Sequence, residues 1–164
     1  MQKGLTQVEA KQYAEAVVSF TAVIEARPKS ADGYVRRCMA NFLGGNLKPA
    51  MEDCDKALTL KPGEADAHYY RGRILQAEKS FRAALEAYAA AISAKPYFPD
   101  AFYYRAQAAQ SMDDLASAIY NYSEAARQRK GFSEALQARA DIKLQLGDRL
   151  GYQKDLDQLK ATNK

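Results

Sequence analysis

The chain has few of the residues from which metal centres and catalytic sites are built. Its 164 residues include one histidine, two cysteines and no tryptophan. Protein metal sites need several His, Cys, Asp or Glu ligands at regular spacing, and the sequence offers no such set, so we expect no metal, no cofactor and no enzymatic activity. It also lacks any apolar run approaching the ~20 residues that span a bilayer, so we expect no membrane segment in this chain.

An excess of one charge is absent too. The 24 Lys and Arg residues face 20 Asp and Glu, and the small surplus is spread along the chain, whereas a nucleic-acid-binding surface concentrates basic residues. We therefore expect no nucleic-acid partner. A content of 48% hydrophobic and 27% charged residues is typical of a soluble, ordered chain.

Three of the five prolines, Pro28, Pro62 and Pro96, stand 34 residues apart. The same spacing relates a set of mostly small side chains, which are Gly4, Cys38, Gly72, Ala106 and Ala140. It also relates a mostly aromatic set, which is Phe20, Cys54, Tyr88, Tyr122 and Leu156. A period of 34 residues therefore runs through the chain.

Each period is predicted to form two helices. In residues 31–64, apolar side chains recur at helical spacing, Gly44 and Gly45 interrupt them, and a second apolar helical face follows until Pro62. Proline ends this face because its ring cannot donate a hydrogen bond. Side-chain oxygens stand where they would cap each second helix, at Asn46, Ser80, Asp114 and Asp148. The pattern predicts nine or ten helices and no strands.

The order of small, aromatic and proline positions resembles the tetratricopeptide repeat. The resemblance implies an all-α fold, an α-solenoid of antiparallel helix hairpins wound into a right-handed superhelix. It divides residues 1–164, as a single array, into repeats at 1–30, 31–64, 65–98, 99–132 and 133–164. We expect the first repeat to be truncated, as in a fragment of a longer protein. The last repeat has Tyr152 where the family has Ala, and we expect it to be an atypical candidate cap.

Members of this family hold a peptide or a partner protein on a concave wall formed by the first helix of each repeat, so the resemblance implies a non-enzymatic scaffold for protein–protein interaction. Repeat positions place on that wall Val35, Met39, Phe42, Tyr69, Arg73, Gln76, Tyr103, Gln107, Gln110, Gln137, Asp141 and Leu144. Tyrosine suits such a surface because its ring offers a large contact area and its hydroxyl tolerates water. The alternative for Tyr69 and Tyr103, and still more for Tyr70 and Tyr104, is packing along their own helices.

Some members of the family hold the C-terminal carboxylate of a chaperone in a clamp of Lys, Asn and Arg. This chain has Val35 and Met39 where the clamp has Lys and Asn, and Tyr70 or Tyr104 where it has Arg. A buried carboxylate needs paired cations that donate hydrogen bonds to it. Chaperone tails are therefore not expected among the partners of this chain.

Two charged sets also follow the period. The acids open the first helices, at Asp32, Asp66, Asp100 and Glu134. There they stabilise the helix dipole by about 0.3–1 kcal/mol each or, alternatively, form a rim for a basic ligand. The arginines are Arg37, Arg71, Arg105 and Arg139. Because Asp53, Asn121 and Asp155 stand sixteen residues after three of them, a structural ladder between helices is favoured over contact with a ligand.

Cys38 and Cys54 fall in one predicted hairpin, where we interpret them as free buried thiols. A disulfide is the alternative, and it needs an oxidising compartment. With no disulfide framework and no visible signal peptide, a cytoplasmic location is favoured. His68 stands where the family has an aromatic residue, and we interpret it as a packing residue.

Two further hypotheses come from the ends of the array. These would expose apolar groups, Val17 and Val18 at one end and Leu150, Leu156 and Leu159 at the other, so the chain could self-assemble into a homo-oligomer. It could also be the docking arm of a larger enzyme or a helical repeat that binds RNA, although the wall positions lack the recurring basic and aromatic combination that such a code would use.

Overall fold

The computed structural model describes residues 1–162, and these form ten α-helices and no strand. The helices are α1 (Gln2–Glu9), α2 (Tyr13–Ala26), α3 (Ala31–Leu43), α4 (Leu47–Leu60), α5 (Ala65–Ala77), α6 (Phe81–Ala94), α7 (Pro99–Gln110), α8 (Leu115–Gln128), α9 (Ser133–Gln145) and α10 (Arg149–Thr162). The prediction of an all-α chain with nine or ten helices is confirmed.

Neighbouring helices pair as antiparallel hairpins, each with a first and a second helix. The chain divides into two compact units. The unit Met1–Ala94 contains hairpins α1–α2, α3–α4 and α5–α6, and the unit Lys95–Lys164 contains hairpins α7–α8 and α9–α10. The boundary falls just before Pro96, one of the three periodic prolines. A single array running through both units stays a prediction.

A left-handed backbone conformation recurs at one position of every hairpin turn. The residues at this position, with φ between 59° and 81°, are Lys11, Gly45, Lys79, Asp113 and Gly147. Glycine adopts this conformation without steric cost, yet three of the five turns use a residue with a side chain. The turn geometry is therefore kept along the chain even where glycine is not.

Capping of the second helices is confirmed in two hairpins and absent in a third. Asp114 accepts a hydrogen bond from the backbone N–H of Ser117 at 3.1 Å, and the bonding from Ser117 holds the pKa of Asp114 below its usual value. Asp148 accepts one from the N–H of Gly151 at 2.8 Å. Asn46 makes no side-chain cap bond, so the prediction was wrong there. Three positions later stands Pro49, which has no N–H to donate, so one of the two backbone donors that such a cap uses is missing.

Inside a hairpin, the small and the aromatic positions of the period face each other. A Cβ built on Gly4 would lie 2.5 Å from the ring of Phe20, and one built on Gly72 would lie 2.6 Å from the ring of Tyr88. Both rings are fully buried. Glycine is needed at these two positions because the rings lie directly against the backbone of the facing helix.

In hairpin α3–α4 the same two positions carry Cys38 and Cys54, which form a disulfide between Cα atoms 5.5 Å apart. The interpretation of these residues as free thiols was therefore wrong. The period places the two positions opposite each other, and the resulting Cα separation lies within the range that a disulfide requires. The cystine is fully buried and packs against Ala50 and Ile74.

Within each unit, the first helix of a later hairpin also packs on the hairpin before it. Ala40 of α3 lies in a core cluster with Phe20 of α2. Ala67 of α5 lies in another with Val35 and Ala57 of hairpin α3–α4. Small side chains at these contacts allow the helices to approach closely, so each hairpin completes the core of its neighbour within the unit.

The arginine set forms the predicted ladder in two hairpins. Arg37 donates from Nε and Nη2 to the two carboxylate oxygens of Asp53, at 2.9 and 2.7 Å, and this bond raises the pKa of Arg37. Arg139 donates in the same way to Asp155, at 2.9 and 2.6 Å. Both aspartates are almost fully buried, and the bidentate arginine compensates part of the cost of burying each carboxylate.

The ladder is incomplete in hairpin α7–α8. The buried Nε of Arg105 has no hydrogen-bond partner in the part of the chain that the structure describes, and neither has Oδ1 of Asn121. The amide of Asn121 is turned so that its Nδ2 donates to the Ser117 carbonyl at 2.7 Å. The expected pairing of Arg105 with Asn121 was therefore wrong.

Candidate functional site

Aromatic and cationic side chains of α3 and α5 meet in the unit Met1–Ala94. The guanidinium of Arg73 lies over the rings of Phe42 and Tyr69, 4.9 and 5.9 Å from their centroids. Its Nη1 donates to the Tyr69 hydroxyl at 3.0 Å. The ring of Tyr70 lies 6.1 Å from that of Phe42 and 5.1 Å from that of Tyr69. We call these four residues the α3/α5 cluster.

The α3/α5 cluster is partly open to solvent. Phe42, Tyr70 and Arg73 are half-buried, and Tyr69 is 9% exposed. A guanidinium held against aromatic rings is already oriented, so it loses less freedom on binding an oxygen acceptor than a fully mobile one. The cluster thus combines flat apolar surface with an oriented donor, and Tyr and Arg are the residue types enriched at the energetic centres of protein interfaces.

Two other residues of α3 that were predicted on the wall are less accessible. Val35 is 3% exposed and packs in the core with Ala57 and Ala67. Met39 is half-buried against the core cluster of hairpin α1–α2. Val35 thus contributes to the contact between neighbouring hairpins and offers almost no surface to a ligand.

The unit Lys95–Lys164 repeats part of this arrangement on α7. Gln107 donates from Nε2 to the Tyr103 hydroxyl at 3.1 Å, as Arg73 does to the tyrosine of α5. The Tyr103 ring packs against Phe132 and Tyr104, at centroid distances of 5.0 and 5.1 Å. Burial among these rings raises the pKa of Tyr103.

The predicted glutamines of α5 and α7 each hold a buried tyrosine. Tyr88 donates its hydroxyl hydrogen to Oε1 of Gln76 at 2.7 Å, and Tyr122 donates to Oε1 of Gln110 at 3.0 Å. Burial raises the pKa of Tyr122 far above its ordinary value. Gln76 and Gln110 therefore have a structural role inside their own hairpins, whatever else they contact.

The predicted residues of α9 line a separate groove. Gln137 and Asp141 are exposed, and Nε2 of Gln137 donates to Oδ1 of Asp141 at 2.8 Å. Together with Leu156 and Leu159 of α10 they border an open groove of about 730 Å³. Leu144, near the end of α9, is 48% exposed.

Sequence reasoning set Tyr70 and Tyr104 aside as packing residues. Both are half-buried and make edge-on contacts with the preceding tyrosine, at 5.1 Å in each case. One sequence signal could have identified them. The tyrosine pair of α5 recurs 34 residues later in α7, which indicates that both pairs have the same local geometry. Their contacts with α3 and with the other rings could not be derived from spacing alone.

Some of the remaining candidate residues have structural partners. Nε2 of His68 lies 2.8 Å from the Pro62 carbonyl oxygen, and the hydroxyl of Tyr34, one repeat earlier, donates to the Pro28 carbonyl at 3.3 Å. His68 therefore makes the same contact as the aromatic residue one repeat earlier, and its role as a packing residue stays a prediction. Of the periodic acids, Asp32 pairs with Arg36 and Asp100 pairs with Arg129.

Residues 1–162 contain no group of three or more His, Cys, Asp or Glu side chains that could hold a metal ion. In the same range, no helix is both long and apolar enough to cross a membrane.

Comparison with known sequences gives two matches to part of this chain. The family described as tetratricopeptide repeat matches residues 1–65. A relative from Cryptococcus neoformans, the tetratricopeptide repeat and J domain-containing co-chaperone DNJ1, is 33% identical over 69 residues, which are 42% of this chain and 13% of that protein. The matched region thus spans a small part of that relative.

Solved structures match nearly the whole chain. The crystal structure of MamA has a TM-score of 0.85 at 21% identity and covers 99% of this chain and 95% of its own. PilF from Pseudomonas aeruginosa has a TM-score of 0.89 at 19% identity, with coverages of 98% and 73%. YrrB, described as a TPR protein with an unusual peptide-binding site, has a TM-score of 0.73 at 16% identity, with coverages of 97% and 82%. At these identities the likeness establishes the fold.

Proposed function

Because this chain is built of tetratricopeptide repeats, we propose that it is an interaction scaffold that binds a peptide or protein segment on the exposed faces of its first helices. The observation that carries the proposal is the α3/α5 cluster, in which Arg73 is oriented by Phe42 and Tyr69 at a partly open surface. In unit Lys95–Lys164, Tyr103 and Gln107 of α7 offer a second, more polar surface of the same kind.

The chemistry of the α3/α5 cluster suits a segment with one apolar side chain and a nearby oxygen acceptor. The rings of Phe42 and Tyr70 would contact the apolar side chain, and the guanidinium of Arg73 would donate to a carboxylate or a main-chain carbonyl. Comparisons support a protein partner in general terms. YrrB is described as having a peptide-binding site and the Cryptococcus relative as a co-chaperone, and these descriptions belong to those proteins.

The test begins with affinity capture from a lysate of the native cells, followed by mapping of the captured segment and synthesis of the corresponding peptide. Replacing Tyr70 and Arg73 together by Ala is expected to weaken binding of that peptide about tenfold or more, measured by calorimetry. The matched control replaces Tyr120, which is 60% exposed on α8, and the exposed Arg82 of α6 by Ala.

Circular dichroism and thermal melts establish that both variants keep the helical content of the parent chain. Binding that is equally tight in the Tyr70→Ala/Arg73→Ala variant and in its control would contradict the assignment of the α3/α5 cluster. Loss of binding in the control as well would indicate a site elsewhere on the second helices.

A further inference from the structure

The disulfide between Cys38 and Cys54 lies in the core beneath the α3/α5 cluster. Both cysteines and Ile74 are fully buried and belong to one core cluster. Phe42 and Tyr70 pack against that core cluster. Two of the four residues of the proposed binding surface are therefore supported by the core that contains the bond.

Two helices connect the bond to the proposed binding surface. On α3, Phe42 stands four residues after Cys38, which is about one helical turn. On α5, the buried Ile74 directly follows Arg73. A displacement of α3 or of Ile74 would therefore move a member of the α3/α5 cluster.

The preceding hairpin shows that the contact with α5 is adapted to the cystine. In hairpin α1–α2 the second helix carries the large Phe20, which lies in one core cluster with the small Ala40 of α3. In hairpin α3–α4 the same repeat position carries the smaller Cys54, and the residue that packs there is the larger Ile74 of α5. Ile74 thus fills space that an aromatic ring occupies one repeat earlier.

Reduction would change this contact without removing any side chain. Two sulfur atoms that are no longer bonded repel each other at bonding distance and must separate. Because protein interiors are close-packed, either α3 moves away from α4 or one thiol turns towards Ile74. The first movement reaches the α3/α5 cluster through Phe42, and the second reaches it through Arg73.

We propose that the disulfide controls the proposed binding surface, so that a chain folded with the Cys38–Cys54 bond binds its segment and a chain folded with two thiols binds it weakly. The inference rests on the proposed function and adds the oxidation state that the function requires. The bond acts by holding the α3/α5 cluster in its binding arrangement before the segment arrives, which lowers the cost of ordering the site on binding.

The bond forms by thiol–disulfide exchange with an oxidised dithiol. The Sγ atoms of Cys38 and Cys54 become bonded and lose two electrons, while the disulfide of the oxidant is cleaved and takes up both electrons and both thiol protons. Because the cystine is fully buried, the oxidant reaches these thiols only before the hairpin has folded. The oxidation state of the site is therefore set during folding.

Refolding the parent chain with and without a dithiol reductant prepares both forms, and its mass after alkylation in denaturant counts the free thiols. Calorimetry with the peptide synthesised to test the proposed function should show about fivefold to tenfold weaker binding by the reduced chain. Cys38→Ala/Cys54→Ala should bind as weakly as the reduced chain, with the same affinity in both buffers. The control Leu136→Ala removes a fully buried side chain from unit Lys95–Lys164, lowers stability comparably and should leave binding unchanged.

Nuclear magnetic resonance of the tyrosine rings examines the site without a peptide. The signals of Tyr69 and Tyr70 should shift between the oxidised and the reduced chain, because their surroundings include Phe42 and the core cluster of the cystine. Tyr103 and Tyr104 occupy the same repeat positions in the unit that contains no cysteine. Their signals are the matched control and should stay unchanged.

Equal affinity of the oxidised and reduced chains, or Tyr69 and Tyr70 signals that are the same in both, would overturn the proposal. Loss of helical content on reduction would overturn it too, because the bond would then act on the whole fold. If Tyr70→Ala/Arg73→Ala binds as tightly as the oxidised parent, the proposed function fails and this inference fails with it. If that variant loses binding while reduction changes nothing, only this inference fails.

Discussion

Hairpins α3–α4 and α5–α6 lie side by side in one unit and differ in what joins their helices at the same two repeat positions. In α3–α4, Cys38 and Cys54 are linked by a disulfide. In α5–α6, Gly72 leaves room for the ring of Tyr88, whose hydroxyl donates to Gln76. One repeat geometry is thus stabilised by a covalent bond in the first hairpin and by packing in the second.

The disulfide and the buried ring act on different states of the protein. In the chain-entropy account, a disulfide stabilises mainly by restricting the unfolded chain. A buried ring stabilises the folded state through the apolar surface it removes from water and the contacts it makes. The two hairpins should therefore respond to different perturbations, the first to reductant and the second to truncation of the ring.

The largest effect is expected in hairpin α5–α6. Tyr88 is fully buried, so Tyr88→Ala should lower the free energy of unfolding by about 4 kcal/mol, through lost burial and a cavity over Gly72. Tyr88→Phe keeps the ring and loses only the bond to Gln76, for which we expect about 1 kcal/mol. Urea denaturation measures both. Equal losses in the two variants would mean that the hydroxyl bond, and not the ring, joins these helices.

A smaller loss is expected on breaking the disulfide of hairpin α3–α4. The bond closes a loop of sequence separation 16, which corresponds to about 3 kcal/mol. Reductant should lower the free energy of unfolding of the parent chain by this amount and leave a Cys38→Ala/Cys54→Ala variant unchanged. Because the cystine is fully buried, native protein should resist reduction until it unfolds. A parent chain from native cells that reacts fully with a thiol reagent would contradict the bond.

The sequence determines most of this comparison, because the 34-residue period places Cys38 opposite Cys54 and Gly72 opposite Tyr88. It does not determine whether two facing thiols are oxidised, since that choice depends on distance and on redox conditions. A weaker cap at Asn46 could have been predicted, because Pro49 removes one of the two N–H donors that a cap uses.

The candidate site was less predictable than the fold. Repeat positions placed Phe42, Tyr69 and Arg73 on one surface, and these three do meet in the structure. The same repeat positions also placed Val35 on that surface, but Val35 is buried. Its burial could not be predicted, because it depends on the size of the residue that faces it across the contact between hairpins. At that contact the facing residue is Ala67, and its small side chain lets the helices approach.

Hairpin α7–α8 extends the comparison to a polar contact that is incomplete, and here we expect the smallest effect. Arg37 in α3–α4 has the carboxylate of Asp53 as partner, whereas Nε of Arg105 and Oδ1 of Asn121 are buried without one in the described part of the chain. Asn121→Asp supplies a carboxylate at the position of Asp53. Satisfying the Arg105 guanidinium should outweigh the cost of burying the new charge, giving a gain of about 1 kcal/mol.

Urea denaturation of a double-mutant cycle with Arg105→Met isolates this pair, since Met keeps the length of the stem and removes the guanidinium. In the Arg105→Met background, Asn121→Asp should destabilise the chain, because a buried carboxylate is left without a cation. A gain of the same size in both backgrounds would place the benefit outside the pair, and a loss in both would mean that the α7–α8 backbone holds these side chains too far apart to bond. The sign of the coupling therefore decides whether hairpin α7–α8 can form the same arginine–carboxylate pair as hairpins α3–α4 and α9–α10.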